Sequence, residues 1–360
     1  MILHELEALA ERLEDRRQQG LVAALMSGAY PNFGQAEQAS RYGEKARVIA
    51  GELGDRVIDV LANTYLGAAY FFLGQYPRSI ECTRRVVALV PRERSHDSFG
   101  VAIRPAVFGR GFLCWSLSEL GRFSEGEAAA REAVELAEAI GHPQTVVAGL
   151  LTIGTFHVRR GDVANAVAPF ERARDLCQRH DIPLWRPVFA SFLGYSLALS
   201  ARFTEAESLL REAIEQATQM RMGIFHSQMI MWLSEARLLT GAVEEAAHLA
   251  DEALVNTRDR QELGLEAWAF RLAAEVAAER EPGDAARAEG LFREAMKRAE
   301  QLGARPLSAR CHLGLGTLFR RIGRAQDARA HLVAASQLFN EMQMRLWSER
   351  VQTSLSTLPD

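Results

Sequence analysis

No stretch of eighteen consecutive apolar residues occurs in the sequence, and its first thirty residues carry Glu5, Glu7, Glu11 and Asp15 without an apolar core. Neither a membrane-spanning helix nor a secretory leader is written there, so a cytoplasmic, non-membrane protein is expected. Cysteine is scarce: Cys82, Cys114, Cys177 and Cys311 stand far apart with no Cys-x-x-Cys pair. That excludes a disulfide scaffold, a zinc knuckle and a thioredoxin-like motif, and leaves reduced, mostly buried thiols. Net charge is small, −4 from 42 basic and 46 acidic residues, and announces no strongly charged partner. Aromatics make up only 8% of the 360 residues, while Ala, Leu, Glu and Arg dominate the long segments, a mixture that favours helices.

What the sequence does contain is a repeat. Apolar helical runs stop, usually at glycine, at Pro31, Gly74, Gly121, Gly161, Ala201, Gly241, Gly283 and Gly323, with steps of 43, 47, 40, 40, 40, 42 and 40. Five residues past each stop stands Ala36, Ser79, Gly126, Ala166, Ala206, Ala246, Ala288 or Ala328, and every one is small. Twelve past it come Gly43, Val86, Ala133, Ala173, Ala213, Ala253, Ala295 and Ala335. Seven before it come Ala24, Gly67, Cys114, Gly154, Gly194, Ser234, Val276 and Gly316, with Ala274 replacing Val276 if the Glu281–Pro282–Gly283 turn absorbs two residues. Small residues at fixed helical positions let two antiparallel helices approach to about 8 Å, so each unit is expected to be a helical hairpin. Phe33, two past the first stop, is expected to pack under its turn. A hairpin this size buries one side only, which forces the units to stack into a solenoid with a continuous core.

Small residues at minus seven, plus five and plus twelve, with an apolar residue at plus two, resemble the tetratricopeptide (TPR) signature, although about 40 residues per unit exceeds the usual 34. The expected fold is therefore a right-handed, all-α solenoid of eight TPR-like hairpins spanning the chain as a single unit. An unpaired helix or cap is expected over residues 1–17, an insertion over 91–105 and a closing cap helix over 346–358. Leu3 to Arg17 read as the second helix of a unit whose first is missing, which suggests excision from a longer chain; the alternative is an N-terminal cap.

A narrower likeness lies in Arg310-Cys311-His312-Leu313-Gly314-Leu315-Gly316, Phe319-Arg320-Arg321, Met342-Gln343-Met344 and Trp347. Phe225-His226-Ser227, Trp232-Leu233, the Glu281-Pro282 turn and the insertion add to it. These resemble the C-terminal helical arms of bacterial multidomain signalling proteins, in which a class III nucleotide cyclase or a kinase precedes an AAA/STAND-type ATPase. The resemblance implies a regulatory arm whose catalytic partners are elsewhere, since no Gly-x-x-x-x-Gly-Lys-Ser/Thr phosphate loop and no strand-like run is present.

Chemical motifs are few. The nine histidines show no His-x-x-x-His pair, so no metal is expected, and Gly314-Leu315-Gly316 lacks the strand and third glycine of a dinucleotide fingerprint. No cofactor is expected. Ser, Cys and Thr lack a base and orienting acid at informative spacing, and the chain is read as non-enzymatic. Arg159-Arg160 and Arg320-Arg321 are isolated pairs, too few for nucleic acid. Recognition is expected on the concave face, formed by the first helix of each unit. The repeat register turns Phe71, Trp115, Arg159, Tyr195, Gln228, Glu235, Trp268, Arg271, Arg310 and Arg320 inward. Arg271 and Arg310 are favoured because unpaired guanidinium is too costly for an apolar core. A protein or peptide is the first expected partner and a small ligand the second; the alternative role is a freestanding scaffold or peptide receptor. The insertion after Pro91 offers either a binding edge or a connection that packs Phe99.

Overall fold

The structure, a computed structural model, describes residues 5, 8, 9, 11, 12, 14–280 and 284–358. Leu3, Leu6 and Leu13 of the expected opening helix and the Glu281–Pro282–Gly283 turn lie outside the described residues. Seventeen α-helices and no strand occur among the described residues. They pair in chain order as α1 (Arg16–Ala29) with α2 (Ala36–Leu53), α3 (Arg56–Phe72) with α4 (Tyr76–Leu89), α5 (Pro105–Glu119) with α6 (Phe123–Ile140), and α7 (Pro143–Arg160) with α8 (Val163–Arg179). The second half repeats this as α9 (Arg186–Leu199) with α10 (Phe203–Gln219), α11 (His226–Leu239) with α12 (Val243–Asp259), α13 (Leu263–Glu279) with α14 (Ala285–Leu302), and α15 (Arg305–Arg321) with α16 (Ala325–Glu341). A final helix α17 (Arg345–Ser356) covers the end.

The small-residue register is what holds each hairpin together. Ser79 Oγ donates to the Gly67 carbonyl and Ser234 Oγ to the Ala246 carbonyl, each at 2.7 Å, so the minus-seven and plus-five positions face each other. At Gly194 a Cβ would stand 3.0 Å from the Ala206 carbonyl oxygen, leaving no room for a side chain. Large residues at plus nine then cover the glycines: a Cβ on Gly154 would meet the Phe170 ring at 2.4 Å, and one on Gly316 would meet Leu332 at 2.6 Å. These contacts lie within a hairpin. The first repeat is also out of the register drawn from Pro31. The left-handed residue that ends its turn is Gly34, at φ 73°, reached through a 3₁₀ turn over Tyr30–Phe33. Counting from Gly34 puts Ser27, Ala39 and Ala46, all fully buried, at the three small positions and makes the first step 40 residues. Phe33, no longer under the turn, is 62% exposed.

The opening segment turns at Glu14, and the Asp15 side chain caps α1 by accepting from Gln18 N at 3.0 Å. Arg16 and Arg17 therefore belong to the first hairpin, not to the helix before it. Between α4 and α5 the chain makes a short 3₁₀ turn at Arg92–Arg94 and reverses at Phe99 and Gly100. Phe99 packs into the cores on either side, around Val86 and Val107 and around Ile49 and Ile58.

Successive first helices pack side by side, and they also meet across the axis, α13 against α3 and α15 against α5. They consequently form the inner wall. The turns of the first four hairpins seat against the connections that follow the last four. Gly223 N donates to the Asn32 carbonyl at 2.6 Å; Gly74 faces Gly264, Gly121 faces Met342 and Gly161 faces Trp347. The superhelix thus closes on itself.

Candidate binding site inside the superhelix

Because the first helices converge, a group of aromatic residues collects along one interior track. Edge-to-face, tilted and stacked contacts run from Tyr65 through Phe108, Phe112, Phe72, Phe225, Phe192 and Trp232 to Tyr195, with ring centroids 4.6 to 6.1 Å apart. Phe71 and Trp115 join it from the side, 5.7 Å apart. Such pairs contribute beyond their buried area, so this row both packs the interior and offers ring faces to a guest.

The track ends in charge. Tyr195 donates its hydroxyl to Glu235 at 3.2 Å, and Glu235 also accepts from Arg271 at 2.9 Å and Arg310 at 3.1 Å. Arg271 makes a second bond to Glu275 at 2.6 Å, four residues on along α13. Burial alone would raise the Glu235 carboxyl, but the two guanidiniums hold it down at about 2. Arg310 lies over the Trp347 ring, 3.6 Å from its centroid, tying α17 to the network. Nearby, Glu119 accepts from Arg159 at 2.5 Å and from the Trp268 indole at 3.2 Å, across the axis from α5 to α13. Arg271 is 2% and Arg310 6% exposed, so both are buried as paired ions. The expectation that a buried guanidinium must face an open groove therefore fails for a physical reason: each has its carboxylate.

Nine of the ten residues read as inward-facing line two adjoining interior pockets: Phe71, Trp115, Arg159, Tyr195, Gln228, Glu235, Trp268, Arg271 and Arg310. Arg320 is not among them; it bonds Thr357 near the chain's end. Each pocket has only about 40 Å³ of free space, so the concave face is closed rather than an open groove. Three buried polar atoms on this surface have no hydrogen-bond partner: Trp115 Nε1, Thr155 Oγ1 and Arg271 Nε. Unsatisfied buried donors are rare in native structures and call for an explanation in function.

Sequence reasoning missed Thr155, Glu275, Glu119 and Phe225. The signal for the first two was present, since Trp115, Thr155, Tyr195, Glu235 and Glu275 follow one another at steps of 40. The inward-facing set took Trp115, Tyr195 and Glu235 from this series and left out Thr155 and Glu275. Phe225 had no such signal: it lies in a connection, with a left-handed backbone at φ 60°.

No protein-family profile and no curated protein matches the chain. Among solved structures, the Rap conjugation gene regulator of the plasmid pLS20, in complex with the Phr* peptide, superposes with a TM-score of 0.61 at 14% identity, covering 95% of this chain and 94% of its own. A Rap protein complexed with competence and sporulation factor gives 0.55 at 14% identity over 86% and 76%. The apo form of RapI gives 0.50 at 9% identity over 96% and 92%. The chain has the TPR-like helical-repeat fold. Within this TPR-like solenoid no described helix is long and apolar enough to cross a membrane.

Proposed function

We propose that the chain is a non-catalytic regulatory arm that docks a peptide or an extended protein segment inside its superhelix and passes occupancy to a signalling output. The observation that carries this reading is the group of unpartnered donors at Trp115, Thr155 and Arg271, set between aromatic rings on one interior surface. Backbone carbonyls of an extended peptide are the acceptors such donors suit, and the rings supply contact area at low entropic cost. Two of the solved structures that share the fold hold a Phr* peptide and a competence and sporulation factor, which supports a ligand of this class here. The closed interior implies that binding needs the superhelix to loosen, which would couple occupancy to shape. The cysteines support a non-catalytic reading, because burial pushes Cys82, Cys114 and Cys311 up to about 12, far from a working thiolate. Their reduced state also suits a cytoplasmic setting.

The test is a peptide-array screen against the chain, followed by titration of captured peptides with Trp115→Phe and Thr155→Val. Both changes remove a donor; Thr155→Val is isosteric, while Trp115→Phe also removes ring volume. The reading expects at least five-fold weaker binding by both, with an unchanged melting temperature for Thr155→Val and a lowered one for Trp115→Phe. Capture of no peptide, or equal binding by both variants, overturns it.

A further inference from the structure

One end of the interior keeps more space than its middle. Where hairpins one to three meet the insertion and the Asp181–Trp185 connection, a cavity of about 340 Å³ remains, against about 40 Å³ in each neighbouring pocket. Its cause is legible in the repeat. The inner-wall position that carries Trp115, Thr155 and Tyr195 in hairpins three to five is occupied by Gly28 and Ala68 in hairpins one and two, six residues before Gly34 and Gly74 as Trp115 is before Gly121. Both small residues line the cavity. At Ala68 this leaves space that Trp115 and Tyr195 fill in their own units, whereas at Gly28 the Tyr65 ring already stands where a side chain would go.

The walls are aromatic and neutral. Tyr65 and Phe108 stand edge to face with centroids 6.1 Å apart, and Phe72 carries the wall on into the interior track. The Tyr65 ring is held flat against Gly28, where a Cβ would come within 2.7 Å of it. Burial alone pushes the Tyr65 hydroxyl up to about 12, with no charged group contributing. At the rim, the Asp181 carboxylate is already paired with Arg186 at 2.9 Å, which removes it as a site for a cation. The insertion closes one side and is fixed in place: Arg104 N donates to Thr145 Oγ1 at 3.3 Å, and that hydroxyl donates to the Ala102 carbonyl at 3.4 Å. A preformed apolar cavity of this size falls in the range of ligand sites.

We infer that this cavity is an anchor site for one neutral aromatic side chain, of tryptophan size, carried by the docked peptide. The guest ring takes the place of the large inner-wall side chain that hairpin two lacks and completes the row that begins at Tyr65. This inference rests on the peptide reading for its occupant, but its test does not use the interior donors. The probe is N-acetyl-tryptophanamide, titrated by calorimetry into the full chain, with indole and N-acetyl-alaninamide in parallel. At ordinary ligand efficiency the tryptophan probe binds with Kd of roughly 0.1 mM, and the alanine probe does not bind measurably.

Ala68→Tyr puts into hairpin two the kind of residue its equivalents carry, and should weaken the tryptophan probe at least ten-fold. Ala102→Trp, at an exposed position of the insertion, fills the cavity from outside and should do the same if Ala68→Tyr fails to fold. Thr155→Val should leave this binding unchanged, so undiminished peptide capture by Thr155→Val with retained probe binding would count against the interior reading alone. Equal probe binding by wild type and Ala102→Trp, or no binding by wild type, overturns the site. Binding of indole without the tryptophan probe overturns the side-chain assignment.

Discussion

Replacing Gly223 with alanine tests whether the superhelix is closed by its turns. Gly223 sits in the connection between α10 and α11, and its N–H donates to the Asn32 carbonyl at 2.6 Å while its own carbonyl accepts from Arg260 at 2.8 Å. A Cβ there would stand 2.1 Å from the Phe33 carbonyl carbon and 2.2 Å from Gly34 N, backbone atoms that no rotamer change can move. Ordinary contact needs about 3.5 Å, so the first turn must retreat by roughly 1.4 Å, which ruptures the hydrogen bond. Overpacking and the lost bond together cost about 1 to 3 kcal/mol, equivalent to roughly 5- to 150-fold faster amide exchange by local opening. Gly223 does not have a left-handed backbone, so the effect is steric. Gly241→Ala is the control: Gly241 is left-handed at φ 79° with nothing within 4 Å, and its replacement should lower stability without loosening the closure. The assay is hydrogen exchange over residues 223–229 and 34–40 with small-angle scattering, at unchanged far-ultraviolet dichroism. Exchange and radius of gyration equal to wild type for Gly223→Ala would refute closure by these turns.

Two further perturbations address the hairpins and the buried ions. Gly194→Leu and Ala206→Leu each force α9 and α10 apart and should cost about 1 to 3 kcal/mol by overpacking, read as lower urea midpoints; unchanged unfolding in both would refute the register. Glu235→Leu strands Arg271 and Arg310 with only Glu275 between them and should cost about 3 to 5 kcal/mol at pH 7, with most of it recovered in Glu235→Leu/Arg271→Met. Because the folded Glu235 carboxyl lies near 2 rather than 4.5, its contribution is complete above pH 4.5 and is lost as pH falls toward 2. The urea midpoint of wild type should therefore fall more steeply than that of Glu235→Leu over that interval, and parallel pH profiles would remove the network from the stability of the fold.

The hairpins were legible because their contacts are local and periodic. Ala166, Ala206, Ala288 and Ala328 are all fully buried at the position the repeat assigned them, and a side chain twelve residues from its partner across a tight turn leaves a trace in sequence spacing. The one slip, at Pro31, has the same origin. A 3₁₀ turn over Tyr30–Phe33 inserts residues between the end of α1 and the left-handed glycine, and proline imitates a helix stop three residues early. Counting small residues from Gly34 instead restores a step of 40, so the correction was itself available from the period.

The closure was not legible, for a reason of distance rather than of subtlety. Glu119 meets Trp268 across 149 residues, and Gly223 meets Asn32 across more than half of the chain. Nothing in a 40-residue period states how many hairpins complete a turn of the superhelix, because that number depends on small rotations between units added over the stack. The cost of burying guanidinium made an open groove the reasonable place for Arg271 and Arg310. What offsets that cost is local to the stack: Glu275 lies one helical turn from Arg271 on α13, Glu235 on the neighbouring first helix α11, and the Trp347 ring on α17, which follows the last hairpin. Under the proposed peptide reading, the charged residues on the inner wall would have two partners to choose between, one another when the superhelix is shut and a guest when it loosens. That competition is what would make a rigid-looking repeat responsive to a peptide.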